Sequence, residues 1–313
     1  MEADISTRAR TQIEELVPSR YAVKIGDMEI IIISDGVLAP PAESMATNAD
    51  TKTLNAWLDE RLLAHDTFDW ALNAVVVKTR DQTILIDSGL GEEYPDFARA
   101  GHLIQRLEAA GVDLGSVTDV VLTHMHFDHV GGLLAHGVKQ RLRSDLRVHL
   151  STAEAKFWQQ PDFSQTAMPP ALADLARKAS VEFLKEYSSY LHLFDQEAEV
   201  ADGVTVSLTG GHTPGHSVVR VKSGNDRLMF GGDAIFPSRL TIQNGITASS
   251  MIQRRQHECG CALWKNWLLR VPGSSRPTCH FRQWVGWSLR ETFFVGSRLN
   301  GTIKSGNTTA DFC

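Results

Sequence analysis

Residues 123–129 read Thr123-His124-Met125-His126-Phe127-Asp128-His129, which puts three imidazoles and a carboxylate within six residues. Imidazole and carboxylate are ligands of zinc and other borderline divalent cations. His124 and His126 sit two apart and can share one ion, while Asp128 and His129 point to a neighbouring position. A lone histidine is ordinarily a hydrogen-bonded or surface residue. Four ligand-capable side chains at this spacing read as a metal loop. The chemistry such a loop supports is hydrolysis, with a water between two cations about 3.5–4 Å apart acidified towards neutrality and an oxygen polarised as it gains charge. No serine or cysteine nucleophile is required, and no Gly-x-Ser-x-Gly elbow occurs.

A loop of this kind has to be carried by a rigid frame. It directly follows Val120-Val121-Leu122, an apolar run that reads as the end of a buried strand. Residues 21–25 and 28–34 alternate or run apolar between turn residues and predict a hairpin. Residues 74–78 and 83–87 predict another, around Arg80-Asp81-Gln82. Residues 103–110 have helical spacing and end at Gly111, a C-cap. Ser151-Thr152-Ala153-Glu154 has the form of a capping box opening a helix through Trp158. Residues 171–190 read as a longer helix, and 204–209 and 218–221 as strands. Strands alternating with helices, with ligands gathered at strand ends, predict an α/β fold of two sheets faced by outer helices.

The pattern His-x-His-x-Asp-His followed by Gly131-Gly132 resembles the metallo-β-lactamase superfamily, and further elements of that family occur in order. Ile84-Leu85-Ile86-Asp87-Ser88-Gly89 resembles its early strand ending in an aspartate that buttresses the metal loop without being a ligand. Gly211-His212-Thr213-Pro214-Gly215-His216 resembles the segment whose first histidine is a ligand, and Gly231-Gly232-Asp233 the loop of the bridging aspartate. The resemblance covers roughly residues 20–237 and is strongest to the lactonase and methyl-parathion-hydrolase-like branch. It implies a four-layer αβ/βα sandwich and two divalent ions, zinc by default. It implies that His124, His126 and His212 bind the first ion, that Asp128, His129 and one further histidine bind the second, and that Asp233 bridges both. Asp128 would also steer the nucleophile or pass a proton to the leaving group. Phe157-Trp158 stands where related phosphotriesterases and lactonases place a Phe-Trp pair near the metals, so Trp158 is the candidate substrate wall; the competing reading has both rings filling the core. Phe68 and Trp70 carry the same two readings. His65, His102, His136, His149 and His192 lack a ligand context, and His216 is expected to brace the loop of His212.

Composition fits one large domain: 313 residues, 42% of them hydrophobic. A net charge of −6 argues against a nucleic-acid partner and so against the nuclease branches of the family. No run reaches the length of a membrane span and the first twenty residues are polar, so a cytoplasmic location with no membrane partner is expected. The expected partner is a small-molecule substrate, and a homodimer is left open. The favoured activity is hydrolysis of an ester or lactone, with phosphotriesters as the alternative on the same fold. A diiron redox role is disfavoured, because such relatives usually carry a glutamate where His126 lies. A glyoxalase-type thioesterase lacks identifiable basic residues to grip its substrate, and β-lactam hydrolysis would call for a signal peptide.

The domain boundaries expected are an N-terminal extension at 1–20, the metallo-β-lactamase-like domain at 21–238, and an aberrant, poorly ordered segment at 239–313. All four cysteines lie beyond residue 258, and residues 251–313 hold nine Lys and Arg against three Asp and Glu, so the acidic chain acquires a basic tail. The family's final His-Leu-Pro-Phe-Pro-Gly-like segment, source of the second ion's last histidine, is missing. His280 is near by count, but its flanks Arg282-Gln283-Trp284 do not match. Read one base out of register, the codons for residues 276–284 permit Thr-His-Leu-Pro-Phe-Pro-Ser-Val-Gly. In the same frame residues 241–244 permit His-Pro-Glu-Trp and residues 250–253 permit His-Asp-Pro-Glu. The segment after about Ser238 therefore reads as a frame-shifted translation. The chain as written is expected to be a catalytically impaired homologue with weak or absent activity.

Overall fold

A computed structural model describes residues 19–45, 49–164, 166 and 168–234, together with the backbone of 294–297. Its strands are β1 (Arg20–Ile25), β2 (Met28–Leu38), β3 (Trp70–Lys78), β4 (Thr83–Ile86), β5 (Asp119–Val121), β6 (Arg147–Ser151), β7 (Leu191–Phe194), β8 (Glu197–Ala201), β9 (Val204–Leu208), β10 (Ser217–Ser223), β11 (Asp226–Phe230) and β12 (Phe294–Ser297). Seven form one sheet in the order β1 to β7, and five form a second in the order β12-β11-β10-β9-β8. The first sheet is antiparallel from β1 to β4 and parallel from β4 to β7. The second is antiparallel throughout.

The near-continuous apolar runs of β2 to β5 follow from burial on both faces. With a side-chain period of two, Ile30, Ile32, Val75, Val77, Ile84, Ile86 and Val121 meet Val204, Val206, Val219, Val221, Leu228 and Phe230 between the sheets. The alternate residues Ile31, Ile33, Val76, Leu85 and Val120 face the helical layer, where Leu103, Leu107, Val130, Leu133 and Phe183 complete the other core. The result is the α/β fold with two sheets and packed helices that the sequence predicts. On the outer face of the second sheet Val218, Met229 and Ala234 form a small cluster.

The predicted hairpins, the helix Leu103–Ala109 before Gly111 (φ 74°) and the long helix Pro170–Tyr187 are all present. The strands β6, β7, β8 and β11 were not anticipated; each has only four or five residues, too few for a period to stand out. No described helix is long and apolar enough to cross a membrane.

Candidate metal centre

The metal loop leaves the end of β5, a central strand, and runs straight into the helix Phe127–Leu134, whose N-cap is His126. Parallel neighbours β4 and β6 hold β5 on both sides, so the loop emerges from the most constrained part of the sheet. The helix can sit this close only because it carries Gly131-Gly132 on the side facing residues 88–90. A Cβ at Gly131 would fall 1.8 Å from the Leu90 carbonyl oxygen, and one at Gly132 equally near that of Ser88.

The structure brings six of the expected ligands together. His126 Nδ1 lies 2.9 Å from His124 Nε2 and 3.0 Å from His212 Nε2. Asp233 reaches both halves of the cluster, with Oδ2 3.3 Å from His212 Nε2 and Oδ1 3.5 Å from His129 Nε2. Asp128 Oδ2 is 3.7 Å from the same nitrogen of His129. His124, His126 and His212 form one group able to hold a cation, and His124, His129 and Asp233 another. His280 lies outside the described residues.

The surrounding hydrogen bonds fix which nitrogen carries a proton. Asp87 accepts from the Thr123 amide and hydroxyl, both at 2.8 Å, and from His129 Nδ1 at 2.8 Å. His129 Nε2 is thereby left to face Asp128 and Asp233. The Thr123 hydroxyl, already donating to Asp87, accepts from His124 Nδ1 at 3.0 Å, so His124 Nε2 presents a lone pair. Lone pairs and carboxylate oxygens thus converge at close range inside buried walls, an arrangement a cation stabilises and water-free packing does not. The donor set therefore fits divalent metal ions.

The protonation equilibria carry the same message. Burial opposes charge on His129, but Asp87, Asp128 and Asp233 outweigh it and lift the imidazole to about 10, so in the metal-free chain a proton answers the carboxylates. Burial, reinforced by the charge on His129, drops His126 to about 3 and holds His124 well below the ordinary histidine range. Burial likewise raises Asp128 and Asp233.

Asp87, read as a buttress, adopts φ 58°, a left-handed conformation that aspartate tolerates better than most residues. His216 braces more than its own loop: Nε2 accepts from the Asp233 amide at 3.1 Å and Nδ1 donates to Thr209 Oγ1 at 2.9 Å. Trp158 requires a correction. It has no exposed surface, its indole N–H donates to Glu154 at 2.7 Å, and its ring stands edge-on to His126 with centroids 5.8 Å apart. It supports a ligand from beneath, so the substrate-wall reading fails in favour of core filling. Phe68 is likewise buried, against Trp57. Sequence reasoning missed Glu154, read only as part of a cap, and Ser180, which carries no motif.

Residues 68–254 match the metallo-beta-lactamase superfamily, a span of more than half the chain. The chain belongs to that superfamily. Its superfamily relatives include the probable metallo-hydrolase Rv2300c of Mycobacterium tuberculosis, 24% identical over 190 residues that cover 52% of this chain and 56% of the relative. Another is the acyl-coenzyme A thioesterase MBLAC2 of Homo sapiens, 26% identical over 191 residues, 59% of this chain and 64% of the relative. The chain thus spans less than two thirds of these curated relatives. Among solved structures, the dizinc quorum-quenching lactonase AidC superposes with a TM-score of 0.73 at 25% identity, over 80% of this chain and 87% of that one. The hydrolase AbOPH shares the fold, with a TM-score of 0.69 at 22% identity over 81% and 88% of the two chains.

Proposed function

We propose that this superfamily member is a metal-dependent hydrolase that cleaves a small-molecule ester or lactone with a water activated between two divalent ions. The observation that carries this reading is the convergence of His124, His126 and His212 beside His129, Asp128 and Asp233. Likeness to the lactonase AidC supports the choice of substrate class. Zinc is the first choice for such donors, although manganese, iron or cobalt would suit the same set.

His124, His126 and His212 would hold one ion, Asp128 and His129 the other, with Asp233 reaching both. When bound, such ions polarise the scissile carbonyl and acidify the attacking water. The chain's own residues supply orientation and proton handling. Asp87 keeps the His129 proton on Nδ1, so Nε2 stays available as a ligand. Asp128, slightly exposed in the first turn of its helix, would take on its carboxylate the proton that the attacking water gives up and pass it to the alkoxide oxygen released as the C–O bond breaks. The substrate is a small molecule, and the chain works without nucleic acid or membrane; a homodimer is compatible with this reading.

A thioester is the second reading, favoured by the similarity to the human acyl-coenzyme A thioesterase. A phosphotriester is the alternative within the first. In either case the chain as written is an impaired version, its second ion loosely held for want of the family's last histidine segment. Purified full-length chain, reconstituted with zinc, should be assayed against a lactone, an aryl ester, a phosphotriester and a thioester. Faster turnover of lactone or aryl ester than of the others is expected, weak in absolute terms and lost in both His124→Ala and Asp233→Ala. Hydrolysis of the thioester alone would overturn the ranking.

A further inference from the structure

Glu154 is a glutamate with no exposed surface, set in the first turn of the helix Thr152–Gln159. In a capping box its side chain would turn back to the Ser151 amide. It points the other way. Its Oε1 accepts from the Met125 amide at 2.9 Å and from the Trp158 indole at 2.7 Å. Its Oε2 accepts from the Thr213 hydroxyl at 2.6 Å and from the Gly215 amide at 2.9 Å. Met125 is the residue between His124 and His126, and Thr213 directly follows His212. One carboxylate therefore spans the two loops that supply the three imidazoles.

The surroundings reinforce this bridge. The Met125 carbonyl accepts from Ser180 Oγ at 2.8 Å, so the peptide group on either side of that residue is held by a buried side chain. The Gly215 carbonyl accepts from Ser151 Oγ at 2.7 Å. A Cβ on Gly215 would fall 2.1 Å from the Glu154 amide nitrogen, so only glycine lets the His212 loop come this close.

We propose that Glu154 is a positioning residue for the first metal site. By tying the Met125 amide to the turn at 213–215 it holds His126 in register with His212, and so sets the affinity and geometry of the three-imidazole site. This rests on the metal-binding part of the function above, not on any substrate. Shape alone does not explain the arrangement, because three of the four partners are obligate donors and a carboxylate is an acceptor only. Glutamine has the same outline but must turn its NH2 towards at least one of those donors. The strain is relieved by sliding one loop against the other, and the imidazoles move with the loops.

The test uses the full chain, stripped of metal and titrated with Co2+, at a temperature where circular dichroism shows every protein folded. Affinity comes from competition with a chromophoric chelator, and geometry from the visible absorption of bound Co2+. Glu154→Gln should weaken the first Co2+ by about 10–100-fold, as for outer partners of metal ligands, and alter its spectrum. Thr213→Val, which removes one donor and keeps the carboxylate, should shift both in the same direction by less. A Glu154→Gln protein that melts lower yet binds Co2+ with wild-type affinity and spectrum would reduce the residue to packing and overturn the proposal. Should that variant fail to fold, unchanged affinity and spectrum in Thr213→Val would overturn it instead. Wild-type chain that takes up no Co2+ at all would sink the metal reading too, a failure plainly different from a variant that matches the wild type.

Discussion

The two halves of the metal cluster are built on different principles. The corner of His124, His126 and His212 is made of three imidazoles; His124 and His212 are wholly buried and His126 almost so. Its loops are fastened together by Glu154. The corner of Asp128, His129 and Asp233 is charged, slightly exposed and braced through Asp87 and His216. Burial keeps the first corner neutral, whereas the second needs positive charge, and in the metal-free chain His129 supplies it by holding a proton. A cation entering the first corner meets a preorganised neutral set. One entering the second must displace that proton and, among the described residues, finds fewer dedicated ligands. The two ions should therefore be held unequally, and metal analysis of the full chain should find one tightly bound ion with a second lost on dialysis. Two tightly held ions would end this comparison.

Substitutions sharpen it. His212→Ala removes a ligand outright and should cost the first ion more than about 100-fold in affinity, beyond the range for outer partners, with turnover falling in parallel. Asp128→Asn should abolish turnover while leaving the first ion nearly untouched; equal loss of the first ion in the two variants, measured by mass spectrometry, would show that the corners are not separable. Asp87→Asn alters only a brace, yet that brace sets the tautomer of His129. About 10–100-fold weaker second-ion binding is expected, with little change at the first.

A smaller effect lies at the other end of β5. Asp119 accepts from His149 at 2.8 Å and from Arg147 and Gln82 at 2.9 Å. Burial alone would raise its carboxyl, but these hydrogen bonds outweigh burial and hold it well below the usual carboxylate range. A depressed folded-state pKa stabilises the fold above the unfolded value of 3.8 and stops doing so as pH falls through the folded one. Urea unfolding should therefore show stability dropping below about pH 4, and Asp119→Asn should flatten that limb. If the slope survives, the acid sensitivity lies in groups other than Asp119. Least of all is expected from His280→Ala, which should leave metal content unchanged because its flanking residues do not match the family segment; a lost ion would show that it serves as the second site's last ligand.

Much of this was legible without coordinates where the signal is local. The spacing of His124, His126, Asp128 and His129 announces a metal loop, and the double-faced apolar runs announce central strands. The fourfold agreement of motifs around Asp87, His129, His212 and Asp233 led to the family. Trp158 shows the limit. An aromatic pair near a metal motif reads alike whether its rings face substrate or core, because sequence spacing does not say which side of a helix is covered.

The chain's order of residues, then, determined which donors exist, their chemical type and the frame of strands that carries them, since these depend on neighbours a few positions apart. Folding decided what those donors do. Glu154 resembles an ordinary helix cap until Met125 and Gly215, 29 residues before it and 61 after, arrive at its two oxygens. Hydrogen bonds across such separations leave no periodicity to read, and only packing brings their partners within reach.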